Sequence, residues 1–149
     1  MTQDTQSLLG YRLKLAQHAF HRRMEDALRR LDLTPAQYAV LTALAEKPDQ
    51  TNADLAVWAF IAPQSMQGVL AKLEASRLVE RRQDITHGRR QLARLTDAGR
   101  DRFKAAQKVV LRIEAALEAA VPPLSSKEAV ALMARLHDAM AVEENTSPI

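Results

Sequence analysis

Apolar residues recur at helical spacing between residues 13 and 31 of the chain. The steps are three or four residues long, which is the stripe of an amphipathic helix. This stripe consists of Leu13, Ala16, Phe20, Met24, Leu28 and Leu31. It predicts a first helix from about Ser7 to Leu31.

Three shorter helices are predicted next, from their starting signals as much as from their apolar positions. Residues 34–37, Thr-Pro-Ala-Gln, supply an N-cap, a proline at the first helical position and a capping-box glutamine, so a second helix begins here and ends before Pro48. Residues 51–54, Thr-Asn-Ala-Asp, repeat this capping logic ahead of a third helix. Ala62-Pro63 restarts the chain for a fourth, amphipathic helix.

Two short segments after the fourth helix favour a β-hairpin. Leu78 to Ile85 and Gln91 to Leu95 alternate imperfectly, carry arginines and are separated by Thr86-His87-Gly88, which is able to turn. A helix-turn-helix followed directly by such a hairpin is the order of elements in a winged helix.

The chain then returns to long helices. Thr96 caps a helix to about Val121, roughly 40 Å long at 1.5 Å per residue. Its apolar positions repeat in steps of three and four, as in a coiled-coil seam: Phe103, Ala106, Val110, Ile113, Leu117 and Ala120. Pro122-Pro123 ends this helix, and Ser125 with Glu128 begins a last one, after which the tail from Val142 is expected to fray.

The fold class predicted is therefore mainly α with a small β-hairpin wing (α+β), a winged helix-turn-helix between long terminal helices. Three interleaved segments are expected in one compact chain: an N-terminal dimerisation helix in 1–33, a DNA-binding winged helix in 34–96, and C-terminal dimerisation helices in 97–149. A single winged helix does not bury such long helices, so they predict a homodimer. The residues expected at the dimer seam are Leu13, Phe20, Val110, Ile113, Leu117, Leu132 and Leu136.

Composition limits the size class, the possible cysteine chemistry and the expected location of the protein. The 149 residues suit one domain of ordinary size, and the absence of cysteine excludes disulfides and thiolate metal sites. The N-terminus lacks a basic start followed by an apolar block, and no apolar run approaches the ~20 residues that cross a bilayer. We expect a cytoplasmic protein that makes no contact with a membrane.

Charge is distributed unevenly, although the net charge is only +3. Residues 77–94 contain six arginines and two acids, whereas residues 114–149 contain two bases and six acids. An arginine cluster beside a candidate recognition helix is the electrostatic footprint of a phosphate-binding surface. The pattern predicts binding to double-stranded DNA.

Particular residues are candidates for that binding. Gln64 and Gln67 in the first turns of the fourth helix are expected to read base edges with Ser65, because glutamine pairs bidentately with adenine. Arg89 is expected in the minor groove. Contacts to phosphate are expected from Thr51 and Asn52 through backbone N–H groups, and from Lys72, Arg82 and Arg90 through their side chains.

Several runs together resemble the MarR family of bacterial transcription regulators, over nearly the whole chain and in order. These runs are LTPAQYAVLTAL, Thr51 with Leu55-Ala56, Ile61 to Glu74, LVER at 78–81, and HGR followed by LTDAG at 95–99. The resemblance implies a homodimeric winged-helix repressor or activator, with small ligands that bind between the dimerisation and DNA-binding parts.

The chain departs from that family's pattern at two positions. His87 stands where most members carry a wing-tip aspartate, with Gly88 between it and Arg89. His87 cannot supply the same anionic partner to Arg81 or Arg89, so we expect the wing to be held differently. His87 is itself a candidate contact to DNA. Gly68 replaces a polar or basic residue in the recognition helix, where glycine costs about 1 kcal/mol relative to alanine. Gly68 either allows a close approach of the backbone to DNA or reflects a subfamily with a different operator, and the second is the simpler explanation.

Other chemistry has weaker support. Arg12, His18, Tyr38 and Trp58 are candidates for a pocket that takes a small aromatic acid, although Tyr38 and Trp58 are better explained as core residues. The histidines lack a third ligand, so no metal is expected. No cofactor is expected, and no enzyme motif is visible. Two alternatives stay open: a constitutive architectural DNA-binding protein without effector, and a protein-interaction module that has lost DNA binding.

Overall fold

The computed structural model describes residues 4–141, which form six α-helices and one hairpin. After a 3-10 turn at Thr5–Ser7, the helices are α1 (Leu9–Arg29), α2 (Pro35–Glu46), α3 (Asn52–Ala59) and α4 (Pro63–Ala75). Strands β1 (Val79–Gln83) and β2 (Gln91–Leu95) follow, and α5 (Asp97–Ala120) and α6 (Ser126–Ala141) complete the order. The mainly helical fold class with a small wing is confirmed. The tail after Val142, expected to fray, lies outside the described residues.

The helix starts are the ones that the capping signals predicted. Thr34 accepts from the Gln37 N–H at 3.1 Å while the Gln37 side chain accepts from the Thr34 N–H at 2.9 Å. Ser125 and Glu128 make the same reciprocal pair before α6. The first helix is shorter than predicted, because Asp4 caps a separate 3-10 turn before it and Asp32 turns into the left-handed region after it.

The winged helix has its own apolar core. Leu41, Leu55, Met66, Leu70 and Leu73 are fully buried where α2, α3 and α4 pack against one another. Burial of large apolar side chains is the main favourable term in folding. The core therefore holds α4 firmly on the two helices before it.

The wing is joined to this core by hydrogen bonds. Strands β1 and β2 pair antiparallel with Val79 opposite Leu95 and Gln83 opposite Gln91. Gln50 adds an isolated bridge to Ala93, in which each backbone N–H donates to the other residue's carbonyl, and its side-chain amide donates to the carbonyls of Ala43 and Lys47. Through Gln50, the loop before α3 acts as a third short strand beside the wing.

Gly99 allows α5 to begin against the residue that precedes β1. A Cβ on this glycine would lie 1.9 Å from the Leu78 carbonyl oxygen, so a larger residue does not fit without movement of the backbone. The Thr96 hydroxyl caps α5 by accepting from the Gly99 N–H at 3.0 Å. The Leu-Thr-Asp-Ala-Gly run thus places α5 directly after the hairpin.

Contacts divide the chain into two compact units, one ending at Val110 and one beginning at Leu111. The first contains α1, the winged helix and the first part of α5; the second contains the rest of α5 and α6. In the second unit, none of the residues of α6, 126–141, is buried. The three functional segments 1–33, 34–96 and 97–149 stay a prediction.

Apolar side chains are exposed along the terminal helices. In α1 they include Leu9, Leu13 and Leu15, and in α6 they include Val130, Leu132 and Met133. Of the seam positions predicted on α5, Val110 and Ile113 are buried within the chain, whereas Leu117 is 45% exposed. Across residues 4–141, the structure contains no helix with the length and apolar character that a membrane span needs.

Candidate nucleic-acid interface

The first turns of α4 present polar side chains to solvent. Pro63 occupies the first helical position, and Gln64, Ser65 and Gln67 are all exposed, while Met66 between them is buried in the winged-helix core. The helix therefore turns one face inward and leaves an uncharged hydrogen-bonding face outward. Such a face matches the donor and acceptor pattern of base edges in the major groove.

Asn52 links the start of α3 to the start of α4. Its Nδ2 donates to the Pro63 carbonyl at 3.0 Å, and its buried Oδ1 has no hydrogen-bond partner among the described residues. The Thr51 N–H donates to the Asp54 carboxylate at 3.0 Å, and the Thr51 hydroxyl donates to the same carboxylate. These bonds hold the pKa of Asp54 below its ordinary value. Thr51 thus acts as the cap of α3, and its N–H is already engaged.

The wing tip is held by its own short loop. The Asp84 N–H donates to the Arg90 carbonyl at 2.7 Å, and the Asp84 carboxylate accepts from the Thr86 N–H at 2.9 Å. The Gln83 side chain donates to the Gly88 carbonyl. His87 Nδ1 lies 3.7 Å from the Asp84 carboxylate. Asp84, at the start of the turn, therefore organises the wing tip. The wing-tip aspartate of the family pattern would stand at the position of His87 instead.

Arg81 has a partner that sequence reasoning missed. Its guanidinium lies 2.5 Å from the Glu74 carboxylate in α4, and both side chains are partly buried. The pair joins the wing to the recognition helix. Thus the anion that His87 does not supply comes from the last turn of α4.

Asp49 anchors both strands of the wing to the loop before α3. Its carboxylate accepts two hydrogen bonds of 2.7 Å from one Arg94 nitrogen and another of 3.0 Å from Arg94 Nε, and it lies 3.0 Å from Arg82 Nη2. The hydrogen bonds from Arg94, followed by the charges of Arg82 and Arg94, hold the pKa of Asp49 below its ordinary value of 3.8. The Asp49 backbone is left-handed, with φ 62°.

The arginines of the hairpin thereby divide into two groups. Arg81, Arg82 and Arg94 form ion pairs within the winged helix, whereas Arg89 and Arg90 at the tip are exposed. His87 is exposed beside them, and Lys72 is exposed in the last turn of α4. Arg82 was predicted as a phosphate contact; its guanidinium lies 3.0 Å from Asp49, yet 55% of its side chain is exposed, so this contact stays a prediction.

The four residues suggested for a ligand pocket lie on three helices. Arg12 and His18 are exposed on α1. Tyr38 on α2 is partly buried and stacks on Phe103 of α5, with ring centroids 6.2 Å apart and planes at 22°. The interpretation of Trp58 as a core residue is wrong, because this side chain on α3 is 45% exposed. It faces outward because the inward positions of α3 are Leu55 and Ala56.

Metal chemistry finds no support in the described part of the chain. Residues 4–141 contain no group of three or more histidines, cysteines or acids that could hold an ion. His21 instead lies 3.3 Å from Glu25, one helical turn further along α1.

Comparisons with known proteins agree with this geometry. The HTH-type transcriptional repressor Rv2887 of Mycobacterium tuberculosis is 32% identical over 128 residues, which are 86% of this chain and 92% of the relative. The MarR family profile also matches residues 31–90. The chain belongs to the MarR family. It is a winged helix-turn-helix transcriptional regulator.

Solved structures of MarR-family regulators share the fold. The repressor CouR bound to a 23-mer DNA duplex superposes with a TM-score of 0.78 at 28% identity, covering 93% of this chain and 99% of CouR. Rv2887 of Mycobacterium tuberculosis in complex with salicylic acid superposes with a TM-score of 0.66 at 30% identity, covering 93% and 98%. The likeness in both cases extends over the terminal helices as well as the winged helix.

Sequence reasoning had no signal for two of the contacts that shape this interface. Asp49 and Arg94 are 45 positions apart, and Asn52 and Pro63 are 11 apart. Residues so far apart in the chain do not belong to one local pattern of helix or strand. Only the folded backbone brings these groups within bonding distance.

Proposed function

We propose that this MarR-family regulator is a repressor that binds a pseudo-palindromic operator as a homodimer and is released by a small aromatic acid. The observation that carries the proposal is the division of polar groups in the winged helix. Ion pairs within the winged helix engage Arg81, Arg82 and Arg94, of which Arg82 is also exposed, while the outward face of α4 and the tip arginines are open to solvent. Such a regulator acts on duplex DNA in the cytoplasm and has no catalytic role.

DNA recognition follows from two surfaces. Gln64, Ser65 and Gln67 enter the major groove and read base edges, and Arg89 enters the adjacent minor groove, where negative potential is greatest in narrow A-tracts. Arg90, Lys72 and the N-terminus of α3 at Asn52 contact phosphates. The structure of CouR bound to a DNA duplex supports this proposal, because CouR has the same fold as this chain.

Dimerisation covers the exposed apolar faces. A second copy would bury Leu13, Leu117 and Leu132, which a lone chain leaves exposed to water. Two recognition helices in a symmetric dimer must lie about 34–36 Å apart to enter successive major grooves. The geometry of the terminal helices therefore sets the spacing of the two half-sites.

The effector acts by changing that spacing. The complex of Rv2887 with salicylic acid supports an aromatic acid as the ligand class, and exposed Arg12 and His18 are the basic groups suggested for it. A ligand that favours the DNA-incompetent arrangement weakens DNA binding, and DNA weakens the ligand by the same factor.

The test begins with operator binding. A duplex selected from random sequences by the wild-type protein is titrated against wild type, Gln67→Ala and Arg89→Ala. Gln67→Ala should lose about 1–3 kcal/mol on this operator and almost nothing on scrambled DNA. Arg89→Ala should weaken both and lower the salt slope by about one unit. Arg112→Ala, an exposed arginine on α5, is the matched control and should change neither.

The effector is tested with salicylate. We expect salicylate to release the operator complex and to change the fluorescence of Trp58, the single tryptophan. Equal salicylate affinity for the free dimer and the operator complex would refute the coupling, and failure to select any duplex would refute the proposed function itself.

A further inference from the structure

The turn between α3 and α4 contains a phenylalanine in an unfavourable backbone conformation. Phe60 ends α3 in the left-handed region, with φ 54° and ψ 40°, and its N–H bonds to the carbonyls of Ala56 and Val57. Glycine or asparagine usually occupies such a cap, because a Cβ is disfavoured there. A bulky residue with positive φ is an outlier, and such outliers cluster at functional sites.

Packing does not compensate this conformation. The Phe60 side chain is 91% exposed, and Val57, three residues earlier on the same helix face, is 77% exposed. The other non-glycine residues with positive φ among residues 4–141 are Asp32, Asp49 and Arg77, all of them polar. Phe60 is thus the single apolar side chain in that group, and the folded protomer gains no burial from it.

The position of this apolar patch, Val57 and Phe60, suggests what covers it. Phe60 lies three residues before Pro63, the first residue of α4, so it is within four or five residues along the chain of the exposed Gln64 and Ser65. Two side chains cannot supply the ~800 Å² that each partner contributes to a stable protein interface. They are enough, however, for a contact at the edge of a DNA groove.

Duplex DNA offers apolar groups at that edge. The thymine 5-methyl group projects into the major groove, where apolar side chains including phenylalanine contact it. The carbons of deoxyribose form the wall beside it. Both bury apolar surface without any ionic interaction, so their contribution to affinity does not depend on salt as phosphate contacts do.

We propose that Phe60, flanked by Val57, is a DNA-contacting residue of this regulator that packs against thymine methyl groups or deoxyribose carbons beside the bases read by α4. The inference rests on the proposed function. The Phe60 contact adds a salt-independent interaction to the readout by polar side chains. If the ring covers a thymine methyl group, the contact also favours thymine at that position. The strained turn is the means of holding the ring outward.

Phe60→Gly gives a clean test, because glycine removes the ring and also relieves the backbone. Thermal unfolding should show an unchanged or raised midpoint, since glycine tolerates positive φ. Fluorescence anisotropy with the selected operator should show about a tenfold loss of affinity, as expected for exposing roughly 50 Å² of apolar surface. The salt slope should equal that of wild type, because no charge is removed.

A second experiment changes the DNA instead of the protein. Operators in which each thymine near the α4 site is replaced in turn by uracil lack the methyl group but keep the base pair. If Phe60 packs on a methyl, one such replacement weakens wild type by several fold and leaves Phe60→Gly unaffected. If the ring packs on deoxyribose, no replacement matters, yet Phe60→Gly still binds more weakly.

Two variants serve as controls. Asp32→Gly relieves positive φ at an exposed position between α1 and α2, so it should leave operator affinity unchanged. Phe60→Asn keeps a residue that tolerates the left-handed region and should lose affinity as Phe60→Gly does. Agreement between the glycine and asparagine variants separates loss of the ring from loss of rigidity.

Three results would overturn the inference. Wild-type affinity in Phe60→Gly, with DNA binding intact, would overturn it while leaving the proposed function standing. Dissociation of the Phe60→Gly dimer in sedimentation would assign the patch to the contact between copies. Failure of wild type to bind any duplex would remove the proposed function and this contact together.

Discussion

The winged helix buries its apolar side chains, whereas the terminal helices leave many of theirs exposed. Leu41, Leu55 and Leu70 are fully buried within residues 33–95, whereas α6 buries none of its residues and the first half of α1 exposes Leu9, Leu13 and Leu15. Exposed apolar faces of this extent mark surfaces for association. One region buries its apolar residues within the chain, and the other carries the apolar surface of the proposed dimer interface.

The difference explains how stability and function are divided. Segments that pack internally hold the recognition helix and the wing in a set geometry even in one chain. In the proposed dimer, segments that pack on a second copy set the distance between two such units. Changes in the first region should therefore act on unfolding, and changes in the second should act on association.

The largest expected effect is in the winged-helix core. Leu70→Ala removes a fully buried side chain and should lower the free energy of unfolding by about 2–5 kcal/mol, because a cavity remains. Chemical denaturation measures this. Gln67→Ala, exposed on the same helix, should stay within about 0.5 kcal/mol of wild type. Equal losses in both variants would break the distinction between an internal core and an open face.

The next effect is on association. Leu117→Glu places a charge on an exposed apolar position of α5 and should weaken the dimer at least a hundredfold, about 3 kcal/mol, because burying an unpaired charge is costly. Sedimentation equilibrium measures it. Leu111→Glu, also exposed on α5 but off the predicted seam, should leave the dimer intact. A dimeric Leu117→Glu protein would show that the seam uses another face.

A smaller effect is expected where the wing meets the loop before α3. Asp49→Asn keeps the shape but removes the charge that Arg82 and Arg94 share, so it should cost about 1 kcal/mol, since these groups are partly exposed. Because the pKa of Asp49 is lowered in the folded state, its contribution is complete above the ordinary value of 3.8 and is lost as pH falls through the lowered pKa.

The pH dependence sharpens this comparison. Wild type should lose stability on acidification more steeply than Asp49→Asn, and the two curves should converge at the acid end. Parallel curves would show that Arg82 and Arg94 do not depend on the Asp49 charge. Asp26→Asn, in an exposed pair with Arg29 on α1, is the control and should give the slope of wild type.

Local sequence determined the elements of this protein because their signals lie within one or two helical turns. The capping pairs at Thr34 and Ser125 could be predicted from neighbouring residues. The hairpin could be predicted from its turn residues and its two short strands. The apolar periodicity of α1 and α5 likewise predicted helices with exposed stripes. The departure at α1, which begins at Leu9, came from a cap at Asp4 that competes with the longer helix.

Tertiary structure alone decided which arginines of the wing form ion pairs. Arg82 and Arg94 carry the same charge as Arg89 in the sequence, but the fold brings Asp49 to the first two and places Arg89 at the exposed wing tip. Trp58 faces solvent because α3 turns Leu55 and Ala56 inward. Ion pairs between residues far apart in the chain depend on the path of the whole backbone, and no local pattern encodes that path.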